Sequence, residues 1–125
     1  MSLHHFLSPV FVADPLCKRY DTQVALADVT LSVSAGHVVG LLGRNGADKT
    51  TLMHLTASLI LPTSGSARTL GQSTHLLATS ELSRFGLVVQ EARFVEWMRV
   101  AQHLDFTASF YPSGIVICKE TLSNY

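Results

Sequence analysis

The sequence predicts an α/β fold in which an antiparallel β lobe precedes a core whose central sheet is incomplete. Three observations predict it. Residues 10–13 and 24–33 carry a partly alternating apolar pattern, marked by Leu26, Val29, Leu31 and Val33, that suits two antiparallel strands. The run His37-Val38-Val39-Gly40-Leu41-Leu42 is short, apolar and partly β-branched, as in a strand buried on both faces. Leu52, Leu55, Leu59 and Ile60 then recur at helical spacing within residues 49–61, and Pro62 is placed to stop that helix.

The later elements follow in order. Residues 66–70 read as a short strand bounded by Gly65 and Gly71, and residues 80–84 as a short helix. Residues 85–89 (Phe85-Gly86-Leu87-Val88-Val89) read as a second buried strand, and residues 91–98 as a loop with Trp97 exposed. Residues 100–111 read as a helix ended by Pro112.

The turn between the first apolar run and the first helix carries the chemistry. Residues 43–50 read G-R-N-G-A-D-K-T. A phosphate-binding loop reads G-x-x-x-x-G-K-[ST]. Gly43, Lys49 and Thr50 fit, and Asp48 stands where the second glycine belongs. Such a loop turns its backbone N–H groups inward, and the helix N-terminus adds positive partial charge at the same place. Lys49 then reaches the outer phosphates and the Thr50 hydroxyl ligates Mg²⁺. Strand, loop and helix together predict a P-loop NTPase core.

Asp48 opposes that chemistry. Two like unit charges ~4 Å apart repel by about 4 kcal/mol at an effective dielectric near 20, equivalent to roughly a thousandfold in affinity. Positive φ at this position would add strain. An aspartate in the first helical turn also favours the empty protein, through the helix dipole or a pair with Lys49. Weak or absent nucleotide binding is the expectation.

Five further stretches extend the pattern. Val29-Thr30-Leu31-Ser32-Val33-Ser34-Ala35-Gly36 leads into Gly40-Leu41-Leu42-Gly43-Arg44-Asn45-Gly46-Ala47. Leu61-Pro62-Thr63-Ser64-Gly65 follows the first helix. Phe85-Gly86-Leu87-Val88-Val89-Gln90-Glu91 is a strand ending in glutamine, and Tyr20 closes Lys18-Arg19-Tyr20. In order and spacing these resemble the first half of the ATP-binding cassette ATPase domain of ABC transporters, over residues 1–113. The tail at 114–125 has no counterpart in that family.

The resemblance implies a nucleotide site of Tyr20, Gly43, Arg44, Asn45, Gly46, Ala47, Asp48, Lys49, Thr50 and Thr51, with Tyr20 stacking on adenine. It implies Mg²⁺ contacts from Thr50 and Gln90, and ATP with Mg²⁺ as cofactors, both bound weakly. It implies a transmembrane transporter subunit and a second ATP-binding subunit as partners, at the cytoplasmic side of a membrane. The family's domain is longer. Its Ser-Gly-Gly signature, its Asp-Glu pair after an apolar strand and its switch histidine have no match here, and His103 is out of context. No catalytic residue is assigned. The expectation is a truncated, inactive ATP-binding subunit or, alternatively, a non-catalytic remnant or docking module that meets a transporter partner around Gln90 and Trp97. A GTP-binding switch or small-molecule kinase shares the loop chemistry but leaves Tyr20, the Pro62-Thr63-Ser64-Gly65 stretch and Gln90 unexplained.

Composition narrows the classes further. The 125 residues make one domain at most, with formal net charge zero. No basic stripe suggests nucleic acid and no polybasic cluster suggests an anionic membrane. Charged residues are 14% of the chain, against ~25% in ordinary domains, so low solubility or association is expected. Two cysteines, Cys17 and Cys118, make no disulfide framework and fit a reducing compartment. Neither a signal peptide nor a membrane span is read. The six histidines, including His4-His5, lack the spacing of a metal site.

Overall fold

A computed structural model describes residues 8–44, 47–91 and 94–111. The chain divides into two compact units, Met1–Ala78 and Thr79–Tyr125. Expectations for the tail at 114–125 with Cys118, for Pro112 as a helix stop, and for the His4-His5 pair lie outside the described residues.

The first unit is built on a four-stranded antiparallel sheet in the order β2-β1-β3-β4. Its strands are β1 (Pro9–Tyr20), β2 (Gln23–Ser34), β3 (Ser64–Thr69) and the two-residue β4 (Gln72–Ser73). Beta-branched residues recur along β1 and β2, and Asp21 at φ 48° turns one strand into the other where Tyr20 faces Gln23. Both long strands match the predicted lobe and extend it. Register shifts interrupt the β1–β2 pairing, one of them between the Ala13 and Leu16 pairings. At a second irregularity Asp28 takes φ 48°. Its N–H donates to Cys17 Sγ, and the Cys17 thiol donates back to Asp28 Oδ1, each at 3.2 Å.

Helix α1 (Ala47–Thr56) lies against β2 and β3. Leu52 and Leu55 pack with Phe11, Ala13, Leu16, Leu26 and Ala67, and Val29, Leu31, Val33 and Ile60 flank this core. Leu16 and Leu55 are its fully buried large side chains. Truncating Leu55 to alanine removes contacts that its neighbours cannot refill. The expected cost is about 2–5 kcal/mol, measured by urea unfolding followed by far-UV circular dichroism.

The helix stops earlier than Pro62 would demand. Ser58 adopts φ 61°, its N–H donates to the Leu55 carbonyl (3.1 Å), and the Leu59 N–H reaches back to the His54 carbonyl (2.9 Å). This pair of bonds is a Schellman closure, with serine in the place glycine commonly takes. Leu59 and Ile60 therefore leave the helix. The buried Thr69 hydroxyl donates to the Thr56 carbonyl (2.9 Å) and ties the helix end to β3.

Residues 37–42 do not form the predicted strand. They run without a ladder partner among the described residues, and Val38 and Leu42 are fully exposed. Residues 85–89 likewise pair with no strand, and Val88 is exposed. Apolar, β-branched composition marks both for a sheet interior, but a strand forms only where another backbone answers its N–H and C=O groups. The central sheet is thus incomplete in this chain.

The second unit holds α2 (Thr79–Leu82), shorter than predicted, and α3 (Val100–Ala108). At the start of α3 the Arg99 N–H donates to Gln102 Oε1 (2.9 Å). A looser turn carries the chain from its end to Tyr111, whose N–H donates to the Ala108 carbonyl (3.0 Å). The Tyr111 hydroxyl donates to the Phe85 carbonyl (3.3 Å), and Phe106 meets Phe110 edge to face. None of this unit's described residues is fully buried. No helix among the described residues is long and apolar enough to cross a membrane.

Candidate functional site

Lys49 folds back onto the start of its own loop, at Gly43 and Arg44. Lys49, in the first turn of α1, sends its ammonium back to the carbonyls of Gly43 (2.9 Å) and Arg44 (2.6 Å). A Cβ on Gly43 would come into ordinary contact with the Lys49 side chain, 3.7 Å from Nζ, so the lysine lies directly across that glycine. An ammonium has three donors. Two are spent on loop carbonyls, which hold the charge at the helix N-terminus and leave one for an incoming anion.

Asp48 stands in the first turn of the same helix and is exposed. It is absent from the residues with positive φ, so the substitution for glycine stores no backbone strain. Nor does the structure pair it with Lys49, whose ammonium faces the loop carbonyls instead. What remains is a carboxylate in the positive field of the helix N-terminus, a favourable contact of about 0.3–1 kcal/mol in the empty protein. Thr50 is exposed beside it and Thr51 is buried. Ala47 opens the helix, while Asn45 and Gly46 lie outside the described residues.

Tyr20 belongs to the same unit, at the end of β1, and is partly exposed. The segment that follows α1 holds this strand end. Thr63 N–H donates to the Cys17 carbonyl (2.9 Å), and Arg19 N–H donates to Thr63 Oγ1 (3.0 Å). Lys18 Nζ donates to the Leu61 carbonyl (2.7 Å) and sits 5.1 Å from the centre of the Tyr20 ring. Residues 61–63 therefore connect the helix that starts at the loop with the strand that ends at Tyr20. Sequence reasoning singled out Tyr20 and missed Lys18. Its signal was the two-residue spacing, which puts both side chains on one face of a strand.

Gln90 lies in the second unit and is exposed. That unit also has an apolar cleft of about 200 Å³ lined by Phe94, Val95, Met98, Val100, His103 and Leu104. The Phe94 ring meets His103 edge to face at 5.3 Å, and His103 Nδ1 is buried without a hydrogen-bond partner among the described residues. Trp97 is exposed beside it, as predicted. No three His, Cys, Asp or Glu side chains among the described residues group as a metal site.

Comparison with known proteins adds a family to this geometry. The family model described as "ABC transporter" matches residues 26–123. The chain is 39% identical over 94 residues to "Phosphonates import ATP-binding protein PhnC 1" of Rhodopseudomonas palustris (strain HaA2), covering 71% of this chain and 34% of that protein. It is 36% identical over 111 residues to "Uncharacterized ABC transporter ATP-binding protein YxlF" of Bacillus subtilis (strain 168), covering 87% of this chain and 35% of that protein. A solved structure described as "Structure of ATP binding subunit of ABC transporter" superposes with a TM-score of 0.73 at 26% identity, covering 82% of this chain and 43% of that one. The chain spans about a third of the length of each of these two curated relatives.

Proposed function

Because this chain belongs to the ABC transporter family of ATP-binding proteins, we propose that it carries the nucleotide-facing front of such a subunit in a form that binds MgATP weakly and does not turn it over alone. The observation that supports this reading is the Lys49 ammonium, drawn onto the Gly43 and Arg44 carbonyls, with Asp48 in the same first turn of α1. The loop keeps the lysine and the helix N-terminus of a phosphate cradle. It adds a negative charge where the incoming group is negative.

In this reading Lys49 uses its remaining donor on the outer phosphates, and backbone N–H groups around residues 43–50 meet the rest. The Thr50 hydroxyl and the Gln90 amide oxygen are of the hard oxygen type that suits Mg²⁺. The metal, when bound, offsets phosphate charge. Tyr20 presents a flat face to the adenine ring. Hydrolysis needs an oriented water and a polarising carboxylate, and no residue of this chain is assigned to either task. Transport would require a membrane subunit and a second ATP-binding subunit, with this chain peripheral to the cytoplasmic face of a membrane.

A second reading, a regulatory docking module, draws support from the exposed Trp97 and Phe94 beside the apolar cleft of the second unit. In that case the chain meets a transporter partner without using ATP.

A turnover assay with MgATP tests the first reading's inactivity. Phosphate release by the isolated chain is expected to stay at the rate of a Lys49→Ala control. Steady release that Lys49→Ala abolishes would contradict it.

A further inference from the structure

We propose that Lys18 is a positioning residue for Tyr20: its ammonium, anchored on the Leu61 carbonyl, covers one face of the ring and leaves the opposite face as the platform for a nucleotide base. The proposal rests on the reading of Tyr20 as a base platform. It goes beyond that reading by assigning how the ring is held and which face is open.

The geometry carries it in three steps. Lys18 and Tyr20 are two apart on β1, so their side chains rise from the same face of the strand. The Lys18 ammonium is fixed at 2.7 Å from the Leu61 carbonyl and lies 5.1 Å from the Tyr20 ring centre, inside the ~6 Å over which a cation is attracted to an aromatic face. The backbone on either side of Lys18 is itself bonded to Thr63, through the Cys17 carbonyl and the Arg19 N–H. Lys18 is therefore anchored along both its main chain and its side chain, and it holds a ring that sits at an exposed hairpin end.

A ring already held on one face gives up less freedom when a flat ligand stacks on the other, and that saving appears as affinity. It concerns the base alone. The phosphates of the same ligand are gripped by a different element, the head of α1. Lys18 should thus affect a nucleotide and leave a base-free polyphosphate untouched.

The test uses the full chain carrying Asp48→Gly, titrated with MgATP and with magnesium tripolyphosphate. Lys18→Met is expected to weaken MgATP roughly two- to fivefold and leave tripolyphosphate unchanged. Lys18→Arg is expected to retain MgATP affinity, because a guanidinium also stacks on an aromatic face. Equal losses for both ligands would overturn the proposal by showing a general structural or charge effect. Unchanged MgATP affinity in Lys18→Met, with a loss in Tyr20→Ala, would overturn it while sparing the base platform. If Tyr20→Ala leaves MgATP affinity intact, the platform reading fails and the proposal falls with it. An independent arm needs no ligand. The Lys18 ε-protons should be shifted upfield by the Tyr20 ring in the NMR spectrum of the unaltered chain, and Tyr20→Leu should abolish the shift. Ordinary ε-proton shifts would overturn the placement directly.

Discussion

Replacing Asp48 with glycine is expected to raise the affinity for MgATP by roughly a hundred- to a thousandfold. The upper end is the repulsion of two unit charges ~4 Å apart at an effective dielectric near 20, and Mg²⁺ lowers it by neutralising part of the phosphate charge. The structure removes one competing explanation. Asp48 is not in the positive-φ region, so the gain cannot come from relief of backbone strain. It leaves direct repulsion, prior occupation of the helix N-terminus by a carboxylate, and the bulk of the side chain. The same change is expected to cost stability. It deletes a favourable contact with the helix dipole and puts glycine in a helix, together about 1–2 kcal/mol. Calorimetric titration reads the first effect and thermal unfolding the second. Affinity and stability should move in opposite directions.

Gly65→Ala is expected to cost more than about 4 kcal/mol and to abolish the cooperative unfolding of the first unit. A Cβ at this position would sit 1.7 Å from the Pro15 carbonyl oxygen, 2.6 Å from its carbon and 3.0 Å from the Leu16 Cα. All three atoms are backbone, so no side chain can turn aside. The crowding has a cause in the register. Asp14 faces Ser66 and Cys17 faces Ser64, and the extra residues of β1 bulge over Gly65. That bulge also directs Leu16 into the core, where it is fully buried. Gly71 is the control. It has a similar φ, +83° against +82°, but open space around it. Gly71→Ala should therefore cost only the backbone strain, about 1–3 kcal/mol. Equal losses in the two variants, measured by urea unfolding, would show that close approach is not what requires glycine at 65.

These two positions also show how far the sequence could be read. Asp48 was visible as the one letter out of place in a loop whose pattern has a mechanism. Gly65 was visible as a strand boundary and as part of a family hallmark. Its physical reason, a bulge in a strand fifty residues earlier, is tertiary and leaves no local trace. The β lobe was legible because alternation along β1 and β2 reports a half-buried face directly. The end of α1 was not legible, because Pro62 offered an obvious stop while Ser58 closes the helix in a conformation that serine gives no warning of. Residues 37–42 and 85–89 show the opposite limit. Their composition suits a sheet interior, but pairing depends on a partner backbone, and composition alone cannot supply one.

At the site, the sequence named the loop and Tyr20 but not the clasp that links them. Lys18, Leu61 and Thr63 act through two backbone carbonyls, two N–H groups and one ring face. No motif encodes such contacts, and only the strand period of two hinted that Lys18 and Tyr20 share a face. The Pro62-Thr63-Ser64-Gly65 stretch thus has a structural reading that its sequence did not disclose. Thr63 bonds the end of β1, and Gly65 lets β3 pass under the bulge.

The central claim is that a negative charge, rather than bulk or strain, keeps phosphate out of the Lys49 loop. Asp48→Asn tests it most directly, because asparagine keeps the size and shape of aspartate and removes the charge. Titrated with MgATP beside the unaltered chain and Asp48→Gly, Asp48→Asn is predicted to recover most of the affinity that glycine recovers. An asparagine variant that binds no better than the unaltered chain, while the glycine variant binds tightly, would contradict the claim.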